Sequence, residues 1–409
     1  MKNLMISTLV LMAISLPLVG YSSNIDDALE TYASGNYQQA HKIFSLLADE
    51  GDPRAQFALA KIYSEGQGVQ QDFNEAIKWY QAAAEQGFTS AQHNLAVLYS
   101  EGPSEILSYT ESVRWYRAAA ENGFPPSQYN LASFYRTGKG VEHSDELAVQ
   151  WYHAAAEQNH LDAQADLGLM YFSGNGVEQS YSEAYRWYRI AAEQGNVRAQ
   201  NLLGSMYSSG VGVTEDYTEA LRWYRAAAEK GDAYSQYNLG NMYDQGQGVI
   251  QNYSEAFRWY KAAAEQGLAN AEYGIAVMLA AGLGVEKNHS EAIQWMRASA
   301  HNGFAPAQYE LGLAFFQGNV VVQNYVEAVR WLNAAANQNH ASSQYALSIM
   351  YYAGRGVEED IVQAHMWTNI AAANRDENAS SFRKELSDLM TPAQIQEAQK
   401  LAQEWVNSR

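Results

Sequence analysis

The chain has 409 residues, no cysteine, and 45 acidic against 26 basic residues, for a formal charge of −19. Without cysteine, disulfides, zinc–thiolate sites and thiol catalysis are excluded, and the acidic excess argues against nucleic acid or an anionic lipid surface as partner. With 47% hydrophobic and only 17% charged residues, the composition is too apolar for disorder and can supply a continuous core.

Met1-Lys2-Asn3 is followed by an uncharged apolar run from Leu4 to Val19 and then by Gly20-Tyr21-Ser22-Ser23. One basic residue, a short apolar run and small residues at its end predict a secretory signal over 1–22, cleaved after Gly20 or Ser22. The run is shorter than the ~20 residues of a membrane-spanning helix, so a retained anchor is the weaker reading. Tyr21 stands where a bacterial lipoprotein would need cysteine. These features predict export to the periplasm or beyond the cell, not as a lipoprotein and with no stable membrane insertion after cleavage.

Residues 24–54 read as a degenerate repeat that caps the N-terminus. Ala40, Ala48 and Gly51 keep the spacing of the later repeats, Ile43 and Phe44 replace a Trp-Tyr pair, and Gly35-Asn36-Tyr37 turns directly from one helix into the next. From there a Trp recurs every 36 residues, from Trp79 to Trp367. Nine repeats over 55–378 begin at Ala55, Ala91, Ser127, Ala163, Ala199, Ser235, Ala271, Ala307 and Ser343 with no insertion or deletion. Positions are counted from that small residue. Positions 1, 5, 8 and 9, which are Ser235, Leu239, Met242 and Tyr243 in repeat six, fall on one helix face. Gly at position 12 stops that first helix. Asp72, Ser108, Asp216 and Asn252, at position 18, predict the N-cap of a second helix. The second helix buries positions 22, 25, 26, 29 and 30, so Trp223 is expected in the core. Residues 379–409 read as two C-terminal capping helices, Ala379–Met390 and one opened by Thr391-Pro392 that runs to about Trp405. The fold class that follows is an all-α solenoid of antiparallel helix pairs.

Repeat five, AQNLLGSMYSSGVGVTEDYTEALRWYRAAAEKG at 199–231, resembles the Sel1-like repeat, a relative of the tetratricopeptide repeat, and the likeness extends over roughly 55–375. The tail at 390–405 is also similar to the end of such bacterial proteins. The resemblance implies a right-handed α/α superhelix that acts as an adaptor for protein complexes, with exported members serving envelope assembly or host contact. Repeats two and eight depart from the GxGV loop, with Gly102-Pro103-Ser104-Glu105 and Gly318-Asn319-Val320-Val321.

The chemistry in the chain is sparse. The GxG pairs each follow a helix and lead to no third glycine, so they are turns and not phosphate loops. The nine histidines show no ligand spacing, and no GxSxG elbow is present. Glu111–Arg114, Glu183–Arg186 and Glu219–Arg222 at i,i+3, with Arg117–Glu121, Arg189–Glu193 and Arg225–Glu229 at i,i+4, read as a solvated outer face. No catalytic residue, metal site or cofactor is expected.

Positions 3, 7 and 10 of the first helix do not repeat. They form a stripe about 180° from the core face at 100° per residue, where curved arrays hold extended partners. Tyr129, Phe172, Tyr237, Asn241, Tyr273, Tyr309, Phe316, Tyr345 and Tyr352 on this stripe are the candidate groove for a protein or peptide partner. Gln at position 2 of eight repeats adds hydrogen-bonding capacity beside it, or simply binds backbone. A helix around Ile395–Trp405 folding back over Tyr309, Phe316, Tyr345 and Tyr352 would turn the end of the stripe into core. The sequence therefore predicts an exported, non-enzymatic scaffold, and the resemblance implies host-cell contact as one setting for it. The alternatives are an envelope scaffold for polysaccharide export or cell-wall assembly and, from another class, a cell-wall or β-lactam hydrolase.

Overall fold

A computed structural model describes residues 22–408. The signal predicted over 1–22 lies outside these residues except for Ser22, which opens the first helix, Ser22–Ala33. Among the described residues there are 22 helices and no strand. The chain divides into two compact halves, one ending at Trp187 and the next beginning at Tyr188.

Repeat six shows how the sequence builds each helix pair. Asp232 caps the first helix, Ala233–Gln245, by accepting from the Ser235 N–H at 2.7 Å. Gly246 ends it at φ 71°, in the left-handed region that a side chain enters only at a cost. Asn252 caps the second helix, Tyr253–Ala264, by accepting from the Ser254 and Glu255 N–H groups. Asp72, Ser108 and Asp216 cap their helices through the same side-chain oxygens. The predicted faces are buried: Leu239, Met242, Ala256, Tyr260 and Ala263 form core, and Trp223 is 6% exposed.

Glycine at position 14 brings successive repeats together. A methyl group on Gly140 would collide with the backbone of Tyr109, on Gly248 with Tyr217, and on Gly284 with Tyr253. In each case the loop of one repeat rests on the first turn of the second helix of the repeat before it. The two departing loops resolve differently. In repeat two, Gly102 is extended (φ −69°, ψ −176°) and the turn is rebuilt by Ile106 N–H donating to the Pro103 carbonyl at 3.0 Å. In repeat eight, Gly318 keeps the left-handed stop at φ 70°, but Val320 occupies the place of the close-packing glycine. Both loops still close by the N-cap N–H donating to the carbonyl of position 9, Ser108 to Tyr99 and Asn324 to Phe315.

At the N-terminus, Ile25 and Phe44 of the first two helices pack with Ala55 and Leu59 of repeat one. At the other end, Ala379–Leu389 is followed by Pro392–Asn407, which Thr391 and Gln394 open with a reciprocal capping box. Both helices pack on the second helix of repeat nine, Ile361–Ala373, where Trp367 meets Trp405 edge to face at 5.6 Å.

The outer face is more organised than a row of ion pairs. Arg114, Arg186, Arg222, Arg258 and Arg330, and Lys78 in repeat one, place their charge 4.2–4.8 Å from the centroid of the next residue's Trp ring. The same basic residues pair with the Glu three positions earlier, as Arg222 does with Glu219 at 3.1 Å. Of the three i,i+4 pairs expected, Arg189–Glu193 forms at 2.8 Å. Arg117 and Arg225 instead donate to the hydroxyls of Tyr135 and Tyr243 in the following repeat, at 2.8 and 2.7 Å. A guanidinium can reach the neighbouring helix pair there, so it joins repeats and does not pair along its own helix.

Candidate functional site

The stripe residues sit less freely than a position opposite the core suggests. Most are half-buried, because a ring near the start of one first helix reaches the start of the next. Tyr129 stacks on His160 at 4.7 Å, Tyr273 packs on Phe304 at 5.3 Å and Tyr309 on His340 at 4.9 Å, and each partner is the N-cap residue of the following first helix. Tyr237 packs on Tyr260 at 5.6 Å, and Asn241 accepts the Tyr260 hydroxyl at 2.6 Å. Phe172 meets Tyr181, and Phe316 meets Tyr325, edge-on or tilted. At the C-terminal end the stripe is partly covered, but by a different helix from the one expected. Phe382 of Ala379–Leu389 lies against both Tyr345 and Tyr352, at 6.0 and 5.6 Å, while Pro392–Asn407 packs on the second helix of repeat nine. Tyr352 keeps 40% of its surface exposed.

Gln at position 2 binds backbone. Its side-chain amide donates to the carbonyl at position 30 of the preceding repeat, at 3.0–3.2 Å, in all eight repeats that carry it; Gln236 to Ala228 is one case. The Gln236 carbonyl in turn accepts from Gln266 at 2.8 Å, at the end of its own second helix. One buried amide thus ties three helix ends together, and its regularity marks it as scaffold.

The stripe is open in repeat seven. Tyr273, Val277 and Ala280, which are positions 3, 7 and 10 of repeat seven, line a cleft of about 480 Å³. Its other walls are Ile293 and Met296 of the second helix, His289–His301, and Ala314 of the next first helix, Ala305–Gln317. His289, Val320 and Glu310 also line it. Glu310 is exposed, with partial desolvation by its neighbours raising its carboxyl pKa, and burial raises that of the Tyr273 hydroxyl. Among the described residues no group of three or more His, Asp or Glu side chains could hold a metal ion, and no helix is long and apolar enough to cross a membrane.

The Sel1 repeat model matches nine consecutive segments, 53–88, 89–124, 125–160, 161–196, 197–232, 233–268, 269–304, 305–340 and 341–376. The chain belongs to the Sel1 repeat family. Two solved structures are similar over most of their length. One is a protective antigen present in uropathogenic Escherichia coli strains, with the same repeat fold, 31% identical over 90% of this chain and 94% of that one, with a TM-score of 0.53. The other is a Sel1 repeat protein from Oxalobacter formigenes, 30% identical over 80% of this chain and 93% of that one, with a TM-score of 0.62. A comparison with curated proteins found no match. Sel1 repeats are in general non-catalytic scaffolds that bind protein partners.

Against the Sel1 pattern of its own neighbours, the junction of repeats seven and eight is where this chain departs most. Position 26 is Tyr in repeats one to six and Met296 in repeat seven; position 8 is large and apolar in every repeat but eight, where it is Ala314. Val320 replaces the glycine that would rest on the helix start at His289, and Val320 and Val322 are left 52% and 89% exposed. Less side-chain volume at two facing positions and a loop held off its neighbour together open the cleft. Those substitutions stand in the sequence as breaks in regular columns, although position 26 is also Leu332 and Thr368 in repeats eight and nine and position 14 is Ser104 in repeat two, and none of them lies on the stripe.

The Gln clamp breaks one junction earlier, between repeats six and seven. Glu272 takes its place, 4% exposed, and accepts the Asn302 amide on both oxygens at 3.0 Å. With both oxygens accepting from Asn302, Glu272 gives no hydrogen to the Ala264 carbonyl. Glu272→Gln should restore that donor and raise stability by about 1 kcal/mol, seen as an upward shift of the urea midpoint. An unchanged or lower midpoint would contradict the clamp's role.

His93 holds position 3 in repeat two, with Nδ1 2.9 Å from the Ser127 hydroxyl and its ring against Tyr116 and Phe124. Burial lowers its pKa from 6.5 to about 4. The unfolded chain therefore takes up the proton first, so this group's contribution is fully present above pH 6.5 and is lost as pH falls toward 4. His93→Tyr puts there the residue that packs on Phe304 in repeat seven. The variant should lose less stability between pH 7 and 4.5 than the natural chain, by on the order of 1–2 kcal/mol. Equal losses in paired urea titrations would rule out His93 as the source.

Proposed function

We propose that this chain is an exported scaffold that holds an extended protein or peptide partner on the first-helix face of repeats six to eight. The observation that carries this reading is the cleft, where all three variable stripe positions of repeat seven converge on one open, mostly apolar surface. Such a surface with Tyr237, Tyr273 and Tyr309 beside it has the aromatic anchors that binding sites favour. Export is supported by the residue pattern of 1–22, and exposure outside the cell by the likeness to an antigen present in pathogenic Escherichia coli strains.

A photo-crosslinking residue at position 237 should recover one dominant partner, and Tyr237→Ala with Tyr273→Ala should remove that capture while leaving the helical content intact. Capture that survives the double change would place the partner elsewhere. Deleting 1–22 should leave the protein in the cytosol on fractionation; the same distribution with and without the segment would refute export by this signal.

A further inference from the structure

The cleft of repeats seven and eight is lined mostly by apolar side chains, with Glu310 the one carboxylate and His289 the one imidazole among them. Glu310 forms no ion pair and no hydrogen bond among the described residues. This sets it apart from the outer-face carboxylates, where Glu219, Glu255 and Glu327 each hold an arginine at 2.7–3.1 Å. Glu310 is exposed beside the apolar lining, so its carboxylate is free to take a charge-assisted partner that also lies along the cleft.

We propose that this cleft receives an aliphatic side chain ending in a cation, a lysine or arginine of the partner, with its stem against Val277, Ile293 and Met296 and its charged end at Glu310. The inference rests on the reading that the first-helix face binds the partner, and it assigns the chemistry of one contact there. The stem of such a side chain packs on apolar surface while its head stays polar, and about 480 Å³ accommodates it. A carboxylate in the same place would meet Glu310 with like charge, and a neutral aliphatic chain would bury surface while leaving Glu310 unpaired. The formal charge of −19 draws basic segments toward the chain before any contact forms.

The test uses the full chain labelled at its methionine methyl groups, with the Met296 signal assigned from Met296→Leu. Three probes are titrated: the blocked pentapeptides Gly-Tyr-X-Tyr-Gly with X as lysine, norleucine or glutamate. The lysine probe should shift the Met296 methyl with saturation, the norleucine probe should bind at least ~5-fold more weakly, and the glutamate probe should not shift it. Glu310→Gln should bring lysine and norleucine to parity. Ala314→Met should remove the lysine shift by filling the cleft; Met stands at this position in repeats four to seven, so the fold tolerates it. Equal binding of lysine and norleucine by the natural chain, or a lysine preference that survives Glu310→Gln, overturns the inference and leaves the groove reading standing. A lysine shift that survives Ala314→Met places the side chain outside the cleft and overturns it as well. No shift by any probe overturns both the inference and the cleft's part in that reading.

Discussion

Trp259→Ala should lower the stability of the C-terminal half by about 3–5 kcal/mol. The ring is buried among Ala220 and Tyr224 of the preceding repeat and Leu239 and Met242 of its own, so its removal opens a cavity at the joint between two helix pairs. Arg258 also covers the ring from 4.2 Å, and that shield has nothing to lie on once the indole is gone. Trp295 is a natural comparison. It occupies the same position in repeat seven, is only half-buried, and follows Gln294, which supplies no cation. Trp295→Ala should therefore cost less, roughly 1–2 kcal/mol. Stability in an array is close to a sum over repeats and their neighbours, so both losses should appear in urea unfolding of the full chain followed by helical signal. Equal losses at the two positions would mean that the Trp column is not graded by its cover.

Gly248→Val should cost roughly 2–5 kcal/mol, from a side chain in the left-handed region and from overpacking against a neighbouring backbone. Gly248 has φ 66°, and a Cβ there would collide with the carbonyl of Tyr217. The loop would have to lift off the preceding second helix. Repeat eight shows this arrangement already in place, with Val320 at the same position and a cleft beneath it. The variant should thus open the junction of repeats five and six, making amides in the first turn of Tyr217–Ala228 exchange faster. A variant as stable as the natural chain, with unchanged exchange there, would show that close approach of the loop is not what joins successive repeats.

Most of the fold was legible because it is written nine times. Recurring Leu239-type and Trp259-type positions give the buried faces, the residues at position 18 give the caps, and glycine at 12 gives the stops. None of these needs a long-range contact to be read. The candidate site was legible only in part. Tyr273, Val277 and Ala280 were correctly placed on one stripe by helical spacing, but spacing within a helix does not say how far a side chain reaches toward the next. Hence the half-burial of Tyr129 against His160, the donation of Arg117 to Tyr135, and the cover of Tyr345 by Phe382 were not foreseen. Gln236 was ambiguous for the same reason, since its acceptor lies eight residues upstream on another helix. The cleft was the least visible feature, being made by what Met296, Ala314 and Val320 fail to fill.

Amide hydrogen exchange of the full chain, with and without the partner recovered by crosslinking from position 237, tests the central claim most directly. Binding on the first-helix face predicts slowed exchange in Ala269–Ala281 and Ala305–Gln317, with the exposed outer turns of the second helices, such as Tyr253–Ala264, unchanged. Protection confined to the outer second helices, with the two first helices unaffected, would contradict it.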